Sequence, residues 1–192
     1  LLVVGLGNPG AEFDGTRHNV GADAVSLLAG RHGGRLKNEK GLHAVAATVD
    51  IAGHRVLLAV PTVYMNESGV AVAPLVRRAG MTENQGLAGL VVVHDELDLP
   101  SGRVKLKVGG GNAGHNGLKS ITNHVHGPGF LRVRIGIGKP PGRQPGADYV
   151  LKRPGKVERE GLEVAEALAA DAVEAIVSEG IEVAMNRFNT LS

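Results

Sequence analysis

A chain of 192 residues and 19.8 kDa fits one ordinary domain spanning 1–192, long enough to bury a real core without metal or disulfide staples. It holds no cysteine, which excludes thiol nucleophiles, thiolate zinc sites and iron–sulfur clusters, and no apolar run approaches the ~18 residues of a membrane-crossing helix. The net charge of +2 conceals a division, since residues 1–156 hold 19 Lys/Arg against 11 Asp/Glu and residues 157–192 hold 2 against 8, a basic body that suits either an anionic partner such as RNA or an ordinary solvated surface.

In chain order, Leu1-Leu2-Val3-Val4 is a short apolar run closed by Gly5 and reads as a buried strand. Val20, Ala24, Leu27 and Leu28 recur at helical spacing, with Gly30 as the expected stop. Strands are expected at about 43–49 and 55–60, joined through Ala52-Gly53 as a hairpin. A helix follows Met65, with Pro74 standing in its path. Leu90 to Val93 is continuously apolar and Arg103 to Val108 alternates, so a buried strand precedes a half-exposed one. Leu118 and Ile121 mark a short helix after a glycine cluster, and residues 130–137 alternate as a strand with Arg132 and Arg134 on one face. Residues 139–146 form a Gly/Pro loop. From Val157 onward, Leu162, Ala165, Leu168, Ala172 and Ile176 line one face of a long helix whose other face is acidic. Strands interspersed with helices, one hairpin among them, predict an α/β fold: a single domain with a mixed β-sheet surrounded by helices.

Gly5-Leu6-Gly7-Asn8-Pro9-Gly10 has the glycine spacing of a dinucleotide loop, yet no helical pattern begins until about Asn19, so no nucleotide cofactor is expected. The run Gly109 to Gly117 lacks the Lys-Ser/Thr ending of an NTP loop but permits close approach of a polymer backbone. Lys105, Lys107 and Arg134 on neighbouring strands are then either a solvated strand face or an RNA phosphate clamp. Asp95 closes an apolar strand, where aspartate commonly serves a turn, and Asn66 precedes a helix, where asparagine commonly serves as N-cap. No H-E-x-x-H or other ligand spacing gathers the histidines, so no metal is expected, and the absence of G-x-S-x-G disfavours a serine nucleophile. Together Asn8, His18, Asn66, Asp95 and Asn116 fall after strands or in glycine loops: one candidate base, one acid to orient it, and three amides to hold a polar group. Such a set suits attack by activated water on an ester or amide.

These residues resemble bacterial-type peptidyl-tRNA hydrolase. The resemblance is carried by the Gly5–Gly10 block, Thr16-Arg17-His18-Asn19, Tyr64-Met65-Asn66-Glu67-Ser68-Gly69, His94-Asp95-Glu96-Leu97-Asp98-Leu99-Pro100, Gly114-His115-Asn116-Gly117-Leu118 and Arg134-Ile135-Gly136-Ile137-Gly138, in order across most of residues 1–140. It implies a monomeric cytoplasmic enzyme, without cofactor, that cleaves the ester joining a nascent peptide to the terminal ribose of tRNA. The peptidyl-tRNA is its partner, and no membrane is involved. The resemblance puts the general base on His18, its orienting acid on Asp95 and the discrimination of blocked from free aminoacyl groups on Asn8. It puts substrate-holding amides on Asn66 and Asn116, with Asn66 a candidate for the oxyanion, and an aromatic contact on Tyr64. Phe13 replaces the family's usual tyrosine, keeping the stacking surface and losing the hydroxyl. Lys105, Lys107 and Arg134 fall in the phosphate-holding region. The alternative of another class is a non-catalytic RNA-binding module using the basic face and glycine loops.

Overall fold

Leu2, Val3, Val4 and Gly5 are all buried and form the central strand β1 (Leu2–Gly5), as an uninterrupted apolar run requires when both faces of a sheet are covered. The computed structural model describes residues 1–81 and 86–190. After β1 the chain forms α1 (Val20–Arg31), β2 (Lys37–Glu39), the hairpin β3 (Ala44–Ile51) and β4 (His54–Pro61), and α2 (Ser68–Arg78). It continues through β5 (Leu90–Glu96), β6 (Val104–Val108), α3 (Asn116–Val125), β7 (Leu131–Gly136), α4 (Gly146–Val150), α5 (Lys156–Glu179) and α6 (Ile181–Asn189). The sheet has seven strands in the order β2-β3-β4-β1-β5-β7-β6. Strand β1 runs parallel to β4 and β5, and β5 parallel to β7, while β2–β3, β3–β4 and β6–β7 are antiparallel. The mixed α/β sheet expected from the sequence is therefore present.

Strand alternation splits the core between the two faces. Val3, Val91, Val93, Val133 and Ile135 pack against α1, α5 and α6, while Leu2, Val4 and Val92 pack against Leu75, Leu118 and Ile121 of α2 and α3. A methyl on Gly21 would collide with the Val93 carbonyl oxygen, and one on Gly5 with the Gly21 carbonyl oxygen. Glycine at both positions lets the first turn of α1 sit directly on β1 and β5. Gly5 therefore serves helix–sheet contact rather than a pyrophosphate.

Several boundaries differ from expectation. Helix α1 runs through Gly30 to Arg31, and Gly33, at φ 69°, turns the chain instead. Pro74 lies inside α2; its ring is half exposed and the helix continues past it. The long C-terminal helix is two, broken at Gly180, whose φ of 88° no helix accommodates. Strand β2, Lys-Asn-Glu on the sheet edge, and the five-residue α4 had no apolar period to announce them.

Candidate active site

Because β1, β4 and β5 are parallel, their carboxyl ends open on one edge of the sheet, which is where open α/β sheets hold ligands. The loop after β1 carries Asn8 and, in a short 3-10 turn Arg17–Asn19, His18. The loop after β4 carries Tyr64 and Asn66, the latter in the 3-10 turn Met65–Glu67, and the end of β5 carries Asp95.

Asp95 is buried and accepts from two histidines: His18 Nδ1 lies 2.8 Å from Oδ2 and His115 Nε2 lies 2.8 Å from Oδ1. His115 caps α3, its Nδ1 accepting from the backbone N–H groups of Gly117 and Leu118 at 3.1 and 3.3 Å. That fixes the tautomer, so Nε2 carries the proton donated to Asp95. Burial would push the Asp95 carboxyl up, but the charges and hydrogen bonds of His18 and His115 outweigh it and hold the carboxyl well below the usual range. A carboxylate there keeps the proton of neutral His18 on Nδ1 and leaves the lone pair on Nε2. Burial works against an imidazolium at His18, yet the Asp95 charge and hydrogen bond prevail and raise its pKa above the ordinary 6.5. Among the described residues Nε2 has no hydrogen-bond partner. His18 and Asp95 line a cleft of about 260 Å³ together with Glu96, His115, Asn116 and the α4 residues Gly146, Ala147 and Val150.

His18, Asp95 and His115 also place three donor atoms within 4.8 Å of one another, as a metal site would. The geometry argues against it, because metal at His115 Nε2 would need the ring proton on Nδ1, where two backbone N–H groups already point.

Asn8 is fixed on both sides. Its backbone N–H donates to Asn19 Oδ1 (2.8 Å) and its carbonyl accepts from Asn19 Nδ2 (3.0 Å), while its Oδ1 accepts from the Met65 N–H (2.7 Å). Only the side-chain NH₂ is left for a ligand. Asn116 is the exposed first residue of α3 on the cleft wall. Asn66 is exposed and is not the N-cap of α2; Glu67 holds that position, without a side-chain bond. Phe13, at the end of the 3-10 turn Ala11–Phe13, meets Tyr64 edge to face with centroids 6.2 Å apart, and Tyr64 is 55% exposed.

The cations stand apart from this cleft. Lys105 pairs across the ladder with Arg134, and Lys107 with Arg132, which puts all four on one sheet face. Arg132 is buried and donates to the carbonyl oxygens of Gly110, Gly111 and Pro128, so it braces the glycine loop. The side chains of Lys105, Lys107 and Arg134 make no hydrogen bond or ion pair among the described residues, while their backbones sit in the β6–β7 ladder. Lys107 and Arg134 line a neighbouring cavity of about 250 Å³ with His94 and Arg132, which shares Glu96 and Ala113 with the cleft. His94 is buried and neutral, its pKa lowered to about 3 chiefly by burial. A larger cavity, about 590 Å³ between α2 and α3, lies away from all of these residues.

The sequence reading assigned no role to His115 or Arg132. His115 stands directly before Asn116 and was open to inference; the partners of Arg132 are backbone atoms 4–22 residues away, for which no local pattern exists.

Residues 2–192 match the family model described as peptidyl-tRNA hydrolase. The chain is 48% identical over 199 residues to a protein of that name from Cutibacterium acnes, covering 98% of each. It is 48% identical over 186 residues to another from Mycolicibacterium vanbaalenii, covering 97% of this chain and 95% of that one. Its fold is similar to the crystal structure of a peptidyl-tRNA hydrolase from Acinetobacter baumannii, with a TM-score of 0.90, 39% identity and coverage of 100% and 95%.

Proposed function

The chain belongs to the peptidyl-tRNA hydrolase family, an enzyme family, and from that premise we propose that it hydrolyses the ester between an N-blocked aminoacyl group and the terminal ribose of tRNA through water activated by His18. The observation that carries this mechanism is the His18–Asp95 contact of 2.8 Å, which turns the Nε2 lone pair toward the cleft.

Water bonded to Nε2 attacks the ester carbonyl carbon as its proton passes to His18, and Asp95 favours the imidazolium that forms. The carbonyl oxygen becomes an oxyanion within reach of amide donors, the role of Asn66 or Asn116. Collapse expels the ribose oxygen, which takes the proton back from Nε2, leaving free tRNA and a peptide carboxylic acid that releases its proton to solvent. The Asn8 NH₂ donates to the peptide carbonyl, Phe13 and Tyr64 offer apolar contact at the rim, and Lys105, Lys107 and Arg134 hold phosphates. The enzyme acts as a cytoplasmic monomer, and among the described residues no helix is long and apolar enough to cross a membrane.

Release of an N-blocked aminoacyl group from tRNA by purified protein tests the reading. His18→Ala should lose about 10²–10⁴ in rate while still binding tRNA. Near wild-type turnover at pH 7 would remove His18 from the mechanism.

A further inference from the structure

The turn that carries His18 is held by a segment some 140 residues away. Arg17 donates from Nε and Nη2 to the two oxygens of Glu158, at 2.7 and 2.9 Å, and from Nη1 to the carbonyl oxygens of Tyr149 and Lys152, at 3.1 and 3.4 Å. Its backbone N–H donates to the Lys152 oxygen at 3.2 Å, and its guanidinium carbon stands 3.9 Å from the centroid of the Tyr149 ring. Glu158 lies in the first turn of α5, where the free N–H end of a helix favours a carboxylate. Arg153 and Arg159 hold the same loop by its carbonyl oxygens, Arg153 at Ala11, Glu12 and Asp14, Arg159 at Gly15.

Arg17 therefore joins two parts of the cleft lining. His18 follows it directly, and Tyr149 belongs to α4, whose residues Gly146, Ala147 and Val150 also line the cleft. One hydrogen bond from Nδ1 to Asp95 and a tilted ring contact with His115 at 5.0 Å do not by themselves set where the imidazole sits; the turn that bears it adds that constraint. A planar guanidinium bonded in parallel to both carboxylate oxygens fixes direction as well as distance.

We infer that Glu158, acting through Arg17, is a positioning residue that aims His18 into the cleft and sets the separation of His18 from α4. This rests on His18 being the base proposed above. Nothing in the local sequence links Glu158 to the site.

Glu158→Gln keeps the side chain's shape but loses the charge and one of the two acceptors, and Arg17→Lys cannot reproduce the fork. Both variants should lower kcat by about 10-fold or more, since ångström-scale misplacement of a catalytic group can cost ~10². They should also lengthen the His18–Asp95 contact, so the His18 pKa, followed by NMR titration, falls toward the ordinary value and the acid limb of kcat/KM moves to lower pH. Glu163→Gln, removing the same charge from the exposed face of α5, should change none of these. Wild-type kcat with an unmoved His18 titration in Glu158→Gln would overturn the inference. So would a loss of activity that only follows loss of folded protein while the folded fraction titrates as wild type. If instead His18→Ala retained turnover, the base assignment would fail, and the His18 titration in Glu158→Gln would still report on positioning.

Discussion

At the scale of single residues, the site is governed by which hydrogen-bonding positions are already taken. Asp95 has both oxygens occupied by histidines, an arrangement suited to fixing tautomers and countering charge rather than to accepting a proton. The proposed mechanism requires the base form of His18, whose pKa Asp95 raises above the ordinary 6.5 despite burial. Wild-type kcat/KM should therefore rise with pH through a value above 6.5. Asp95→Asn removes the charge that raised the pKa while leaving the burial that lowers it. Its acid limb should shift to lower pH and its plateau fall by about 10²–10⁴; an unmoved limb in the pH profile would mean that another group titrates. Asn8 follows the same logic. With Oδ1 already accepting from the Met65 N–H, its NH₂ is the unused donor, so in the proposed mechanism it donates to a carbonyl, and the acyl carbonyl of an N-blocked substrate is the group that a free aminoacyl ester lacks. Sites built on such a bond reject analogues without it by up to about 10⁴–10⁵, less where half exposed. Rates on blocked and free forms of one aminoacyl-tRNA should differ strongly for wild type and converge in Asn8→Asp, whose carboxylate pairs with an ammonium; unchanged selectivity would take Asn8 out of the recognition.

At the scale of elements, the β6–β7 face and the glycine loop divide their cations between two tasks. Arg132 turns inward to brace Gly110 and Gly111, whereas Lys105, Lys107 and Arg134 are the cations proposed above to hold phosphate. Removing one cation that pairs with a phosphate should flatten the plot of log tRNA affinity against log salt by roughly 0.7–0.9. Titrations of Lys105→Ala and Arg134→Ala across salt check this, and unchanged slopes in both would return these residues to plain surface. The alternation in 130–137 gave the shared face of Arg132 and Arg134, but not which one is spent internally, because that depends on carbonyls from a different loop. The same limit runs through the fold. Strands β1 and β5 and the β3–β4 hairpin were legible because apolar runs and an Ala-Gly turn are local signals; β2 and α4 were not, since a three-residue polar edge strand and a five-residue helix are made by their neighbours. His18 and Asp95 stood out as a chemical set, yet their contact spans 77 residues and had to come from the fold.

At the scale of the whole molecule, part of the acidic C-terminal segment is paired within the chain: three of its carboxylates reach cations of the basic body, and Glu166 pairs inside the segment itself. Glu158 pairs with Arg17, Asp171 and Glu174 pair with Arg31, and Glu166 pairs with Arg159. One of these pairs carries a cost. Glu166 is buried where α5 meets α1, close enough to Asp23 to feel its charge, and burial first and Asp23 second push its carboxyl up to about 7 against an ordinary 4.5, despite Arg159. A raised carboxyl binds protons more tightly in the folded state, so its stabilising neutral form is fully present below pH 4.5 and is lost as pH rises through about 7. Glu166→Gln supplies a neutral acceptor to Arg159 at every pH. It should leave stability nearly unchanged at pH 5 and raise it at pH 8 by on the order of 1–3 kcal/mol, seen as a higher Tm by about 2–4 °C for each kcal/mol in a chain of this size. Thermal melts of both proteins at the two pH values measure this directly, and an equal shift at pH 5 and pH 8 would show that Glu166 does not titrate between them.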